Sequence, residues 1–139
     1  MKAIAHIALY VKDMEKSLDF YTRVLGGKYA FSFDRDGKPW IEYVQLVPGQ
    51  FIELFYGATV QVPYRDENAG FFHLCLQVED IQATWKQIVE SGAPQDDAPK
   101  TGGDGNWQCW THDPDGVKIE LMQVGRDSLQ MQFIRSLNK

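Results

Sequence analysis

The sequence predicts an α+β domain built from two copies of one unit, in which a strand, a helix and three further strands follow one another. Residues 4–11 alternate apolar and mixed side chains, and the pattern returns 67 residues later at 71–78, so that His6 is answered by His73. The same offset carries Val11 to Val78, Asp13 to Asp80, Ile52 to Ile119, Glu53 to Glu120 and Leu54 to Leu121. Matches at one fixed period mark an internal duplication. Because the period occurs only twice, the halves are read as the two modules of a single domain over residues 1–139, related by approximate twofold symmetry. The modules are 1–57 and 70–125, with a linker at 58–69 and a C-terminal tail at 126–139.

In the first half, residues 4–11 place Ile7, Leu9 and Val11 on one face of a strand and His6, Ala8 and Tyr10 on the other. Asp13 is an N-cap, and Met14, Leu18, Tyr21 and Leu25 follow at helical spacing to a stop at Gly26-Gly27. Residues 29–35 and 40–47 read as strands joined by an Asp36-Gly37 hairpin turn, and Pro48-Gly49 turns the chain into a fourth strand at 51–56. That strand sets Glu53 on the face of Phe51 and Phe55. Residues 57–70, with Pro63, Arg65, Asp66, Glu67 and Asn68, keep no period and read as the polar connection between halves.

The second half repeats the order. A strand at 71–78 leads to the N-cap Asp80, a helix carrying Ile81, Trp85, Ile88 and Val89, and a stop at Gly92. Residues 96–106, rich in Gly, Asp and Pro, read as a mobile loop. Residues 107–112 and 117–124 form a hairpin around Asp113-Pro114-Asp115-Gly116, with Lys118, Glu120 and Met122 on one face. In the tail, Leu129, Phe133, Ile134 and Leu137 recur at helical spacing and dock on this subunit or on a partner.

Composition narrows the function classes. With 139 residues, 44% hydrophobic and 24% charged, the chain is a globular domain of ordinary size. A net charge of −5 offers no basic surface for a phosphate backbone, so nucleic acid is not an expected partner. Cys75 and Cys109 make no CxxC spacing, which argues against a zinc ribbon or a disulfide scaffold and for a reducing, cytoplasmic setting. The apolar run at the N-terminus is too short and too interrupted for a signal peptide, and no stretch approaches the length of a membrane span.

The residues that carry chemistry are His6, Glu53, His73 and Glu120. Each lies on the polar side of a strand's alternation, and an octahedral divalent ion held by two imidazoles and two carboxylates, with positions left for water or substrate, needs this set. A lone strand histidine is ordinarily a hydrogen-bonded core residue, and a lone Glu in Ile-Glu-Leu ordinarily faces solvent. Packing, however, gives no reason to keep a carboxylate among aliphatic neighbours in both copies. Cys75 and Gln77 share the face of His73, His112 sits at the hairpin turn, and Phe51, Phe55 and Trp107 or Trp110 would make the site wall aromatic.

Residues 6–13, the helix end at 17–26, Phe51-Ile52-Glu53-Leu54, His73 and residues 113–121 together resemble the vicinal oxygen chelate superfamily, and within it glyoxalase I, the lactoylglutathione lyases. The resemblance runs from His6 to about Val124. It implies a pair of βαβββ modules in the glyoxalase/bleomycin resistance/dioxygenase fold, with the metal ligands at His6, Glu53, His73 and Glu120. It implies one divalent ion per site (nickel, zinc, cobalt or manganese) and a homodimer whose sites are shared between subunits. The implied reaction isomerises the hemithioacetal of methylglyoxal and glutathione through an enediolate held by the metal, with Glu120 as the principal base and Glu53 as the carboxylate facing it. Two positions depart from the family pattern. The glutathione-binding Arg is Tyr10 here and the glutathione-contacting Asn is Gly57, with Lys118, Arg65 and Lys100 as substitutes. The alternatives are another metal enzyme of the superfamily, whether an epimerase, a dioxygenase or a thiol transferase, or a protein that sequesters a ligand without chemistry.

Overall fold

The computed structural model describes residues 1–63, 65, 67 and 69–137. Tyr64, Asp66 and Asn68 of the expected linker, and Asn138 and Lys139 of the tail, lie outside the described residues. The chain divides into two compact units, Met1–Asn68 with Asp113–Gly116, and Ala69–His112 with Val117–Lys139.

The first unit is a mixed sheet of β1 (His6–Tyr10), β2 (Lys28–Arg35), β3 (Lys38–Val47) and β4 (Gln50–Phe55) in the order β1-β4-β3-β2. β1 and β4 run parallel, as a strand and its return after a helical crossover must, and the other pairs are antiparallel hairpins. The helix α1 (Met14–Asp19) starts where Asp13, in extended conformation, accepts a hydrogen bond from the backbone N–H of Lys16. The expected single helix to Leu25 instead widens to a π-helical turn over Phe20–Val24, closed by Leu25 N–H donating to the Phe20 carbonyl at 3.0 Å. Both Phe20 and Tyr21 are buried there although they are sequence neighbours. At the helix end Gly27 is obligatory, because a Cβ would stand 2.5 Å from the Tyr21 carbonyl oxygen and 2.7 Å from Val44 Cγ1. Val11, Phe20, Tyr21, Val24, Val44, Ile52 and Leu54 form this unit's core.

The second unit repeats the plan with β5 (Leu74–Gln77), β6 (Asp97–Thr101), β7 (Trp107–His112) and β8 (Lys118–Gln123) in the order β5-β8-β7-β6, again with the first and last strands parallel. The helix α2 (Ile81–Ser91) is capped by Asp80, which accepts from the N–H groups of Gln82 and Ala83, and ends at Gly92 in the left-handed conformation. Leu74, Ile81, Ile88, Cys109, Ile119 and Leu121 make its core.

Two expectations for this half are corrected. The loop read over 96–106 contains the edge strand β6, whose Asp-Ala-Pro-Lys-Thr sequence is exposed along most of its length and so shows no apolar alternation. An edge strand tolerates Pro99, and the β6–β7 register shifts between Asp97 and Lys100. The strand read over 71–78 begins only at Leu74, because its parallel partner starts at Lys118 and pairs Leu74 with Ile119. His73 therefore precedes the ladder. The tail forms α3 (Leu129–Leu137). Its start is tied to its own unit, with Leu129 N–H donating to the Asp104 carbonyl and Gln130 Oε1 accepting from the buried Asn106 amide at 2.8 Å.

Candidate metal centre

In the first unit the register of β1 on β4 sets Ala8 beside Glu53 and His6 beside Phe51, so His6 reaches Glu53 diagonally along one face. His6 Nε2 lies 3.6 Å from Glu53 Oε1. The imidazole is about half exposed, whereas the Glu53 side chain retains only 9% of its accessible surface. A carboxylate so far withdrawn from water needs a donor. Tyr43, directly opposite Glu53 across the β3–β4 ladder, supplies it by donating its hydroxyl to Oε1. That bond, then burial and the carboxylate's charge, pushes the Tyr43 phenol above its ordinary pKa. Phe31 stacks on the Tyr43 ring at 4.4 Å, Phe33 meets it edge-on, and Phe51 lies 6.3 Å away. Tyr10 and Trp40 both contact Phe55. The expected aromatic wall thus includes Phe51 and Phe55 but is broader than those two.

In the second unit His73 Nε2 lies 3.0 Å from Glu120 Oε2, with both side chains mostly withdrawn from water. The imidazole is held edge-on between Phe72 at 4.7 Å and Trp110 at 4.9 Å. Its Nδ1 is buried without a hydrogen-bond partner among the described residues. Cys75 pairs with Glu120 across the β5–β8 ladder, and burial, followed by the Glu120 charge, pushes its thiol up to about 12. That thiol is a poor nucleophile. Of the two tryptophans considered, Trp110 pairs with Glu120, whereas Trp107 pairs with Gln123 and by alternation faces away. His112 is engaged with Asp96 at 2.9 Å.

Beside Trp110 a cleft of about 430 Å³ is lined by Phe72, Asp96, Asp97, Lys100, Gln108 and Lys118. Lys100 pairs with Asp97 at 3.0 Å and the Lys118 ammonium lies 5.0 Å from the Phe72 ring centre. Lys100 and Lys118, expected as substitute cations, therefore stand in one pocket, and Asp96, Asp97 and Gln108 join them unforeseen. Tyr10 is well exposed, and Gly57 has a φ of 105°.

Each unit thus brings together one imidazole and one carboxylate. Among the described residues, no group of three or more His, Cys, Asp or Glu side chains able to hold a metal ion forms within the single chain. The donors of each pair nevertheless suit a shared cation. Neighbouring ligands of an octahedral ion with bonds of about 2.1 Å stand about 3 Å apart, and those of a tetrahedral ion about 3.4 Å. The separations of 3.0 Å and 3.6 Å are of this size.

Sequence reasoning missed Tyr43. Two signals could have found it: it lies opposite Glu53 in the hairpin, and the 67-residue offset carries it onto Trp110.

Two four-stranded sheets of matching topology, each bearing one His-Glu pair, define a duplicated βαβββ protein, and the comparisons agree. The model of the glyoxalase/bleomycin resistance protein/dioxygenase superfamily matches residues 3–121, and the chain belongs to that superfamily. A probable lactoylglutathione lyase of Vibrio cholerae is 33% identical over 133 residues, covering 86% of this chain and 89% of the relative. The lactoylglutathione lyase of Pseudomonas putida is 30% identical over 149 residues, covering 85% and 83%. Among solved structures, a glyoxalase family protein from Enterococcus faecalis superposes with a TM-score of 0.75 at 24% identity, over 87% of this chain and 97% of that one.

Proposed function

We propose that the protein is a metal-dependent lyase of the glyoxalase I type, which isomerises a hemithioacetal formed from a 2-oxoaldehyde and a thiol, the methylglyoxal–glutathione adduct or a related one. The observation that carries the reading is the pair of His-Glu contacts, His6 with Glu53 and His73 with Glu120, repeated at one offset in the two units. The relatives named lactoylglutathione lyase support it.

In this reading His6 and Glu53 of one chain and His73 and Glu120 of a second hold one divalent ion. A homodimer with two such shared sites then follows from twofold symmetry, each chain being one domain of two modules. Held there, the ion would supply Lewis-acid polarisation of the substrate oxygens and so make the adjacent C–H more acidic. Glu120 takes the proton from the carbon bearing sulfur and returns it to the neighbouring carbon. One C–H bond breaks and another forms, and a proton passes from the hydroxyl on the sulfur-bearing carbon to the former carbonyl oxygen, so no water or oxidant is consumed. The aromatic rings around Glu53 exclude water from the reacting carbons. Lys100 and Lys118 bind the carboxylates of the thiol, taking over from the arginine that Tyr10 replaces.

The test is metal analysis of protein purified without chelator, followed by turnover of the methylglyoxal–glutathione adduct monitored by thioester absorbance. Stoichiometric metal with turnover supports the reading. Metal without turnover moves the chemistry to another substrate of the superfamily, and protein that neither retains nor takes up divalent metal refutes it.

A further inference from the structure

Tyr43 and Trp110 are related by the same 67-residue offset as the proposed ligands, and each stands directly opposite a site carboxylate, Tyr43 across from Glu53 and Trp110 across from Glu120. Their polar atoms go to different places. The Tyr43 hydroxyl donates to Glu53 Oε1, the oxygen nearest His6, while the Trp110 indole N–H donates to Gln108 Oε1 at 2.8 Å. The two halves, alike in ligands, are therefore unlike in what grips those ligands. Glu53 is tied by a phenol, a strong donor held in place by its stack on Phe31. Glu120 has the thiol of Cys75 beside it, a weak donor.

We infer that Tyr43 is a positioning residue which fixes the Glu53 carboxylate for metal binding and so makes the two halves unequal, leaving Glu120 as the carboxylate that moves with the proton. This inference rests on the proposed metal-dependent function. Its physical basis is that a hydrogen bond to a ligating carboxylate sets that ligand's orientation, and loss of such a partner weakens metal binding by about 10- to 100-fold. A phenylalanine at this position keeps the ring and its stacking while removing only the hydroxyl.

The experiment measures Co²⁺ affinity by chelator competition, the visible absorption of the Co²⁺-loaded protein, and kcat and KM, for wild type, Tyr43→Phe, Glu53→Gln and the double variant. Tyr43→Phe is expected to weaken Co²⁺ binding about 10- to 100-fold, to shift the Co²⁺ absorption bands, and to lower kcat more than it changes KM, while the metal-free protein still folds and melts cooperatively, at a lowered temperature because the withdrawn Glu53 carboxylate has lost its donor. In the Glu53→Gln background the same change should cost less affinity, because the hydroxyl's bond to a neutral amide oxygen is weaker than its bond to a carboxylate. Wild type that binds Co²⁺ while Tyr43→Phe binds it equally well, with unchanged bands, overturns the positioning role alone. Equal losses from Tyr43→Phe in both backgrounds also overturn it, since the effect would then not pass through Glu53. Wild type that binds no divalent ion overturns this inference together with the proposed function.

Discussion

Replacing Tyr21 by Phe isolates one hydrogen bond in the first unit. Tyr21 is fully buried and its hydroxyl donates to Asp113 Oδ2 at 2.8 Å, while Asp113, 1% exposed, accepts from the Asp115 N–H through its other oxygen. Phe preserves the ring, so no cavity opens and the loss is that of a hydrogen bond to a buried carboxylate, about 1.5–3 kcal/mol. For a chain of this size that corresponds to a fall in melting temperature of very roughly 5–10 °C. The pH dependence supplies a sign. Burial, and then the Asp113 charge, pushes the Tyr21 phenol well above its ordinary value. A group whose pKa is raised by folding contributes stability that is complete below its unfolded value of about 10 and is lost as pH rises through the folded one. The phenylalanine variant lacks this term. Urea titrations of both proteins at neutral pH and above pH 10 should therefore show a gap in midpoint that narrows on the alkaline side, with the slope unchanged. Equal midpoints at neutral pH, or a gap that widens with pH, would refute the argument.

Glu120→Gln should leave a folded protein without proton transfer, because an amide does not accept the substrate proton at neutral pH, and metal affinity should fall with it; single-turnover assays and chelator competition check both. Lys100→Ala with Lys118→Ala should raise KM for the glutathione adduct by tenfold or more, on the order of the 1.5–3 kcal/mol of a charge-assisted contact, while kcat stays nearer to wild type; steady-state kinetics separates the two constants. Asp80→Ala removes the side chain that caps α2 through Gln82 and Ala83 and should cost about 1 kcal/mol in urea denaturation. Arg at Tyr10 with Asn at Gly57 should raise kcat/KM for the glutathione adduct if the native thiol is a different one, with some loss of stability because Gly57 has a φ that a side chain resists.

Much of the fold was legible because duplication printed it twice. Asp13 and Asp80 announced both helices, and the alternations around Glu53 and Glu120 announced the strands that carry them. The edge strand β6 escaped because edge strands need no apolar face, and Asp-Ala-Pro-Lys-Thr reads as loop chemistry. The π-helical turn at Phe20–Val24 escaped for another reason, since helical periodicity tolerates one widened turn without losing its pattern. At the site, the placement of each Glu on the polar face of its strand followed from alternation. The hydroxyl of Tyr43 on Glu53 did not, because it depends on the cross-strand register, which one residue of slip would have reversed. The cleft beside Trp110 was hidden for the reason β6 was, as three of its residues, Asp96, Asp97 and Lys100, sit in the segment read as loop.

Mixing two variants tests whether the four proposed ligands come from two chains. One variant carries His6→Ala and Glu53→Ala, the other His73→Ala and Glu120→Ala, and the two are unfolded together, refolded, and analysed for bound divalent metal after dialysis. Alone, neither variant should bind metal tightly. Mixed in equal amounts, half of the dimers pair unlike chains and each of these holds one intact site, so the mixture should bind about a quarter of the metal that wild type binds per chain. Full metal binding by either variant alone, or none recovered on mixing while wild type refolds with its full complement, would contradict the account.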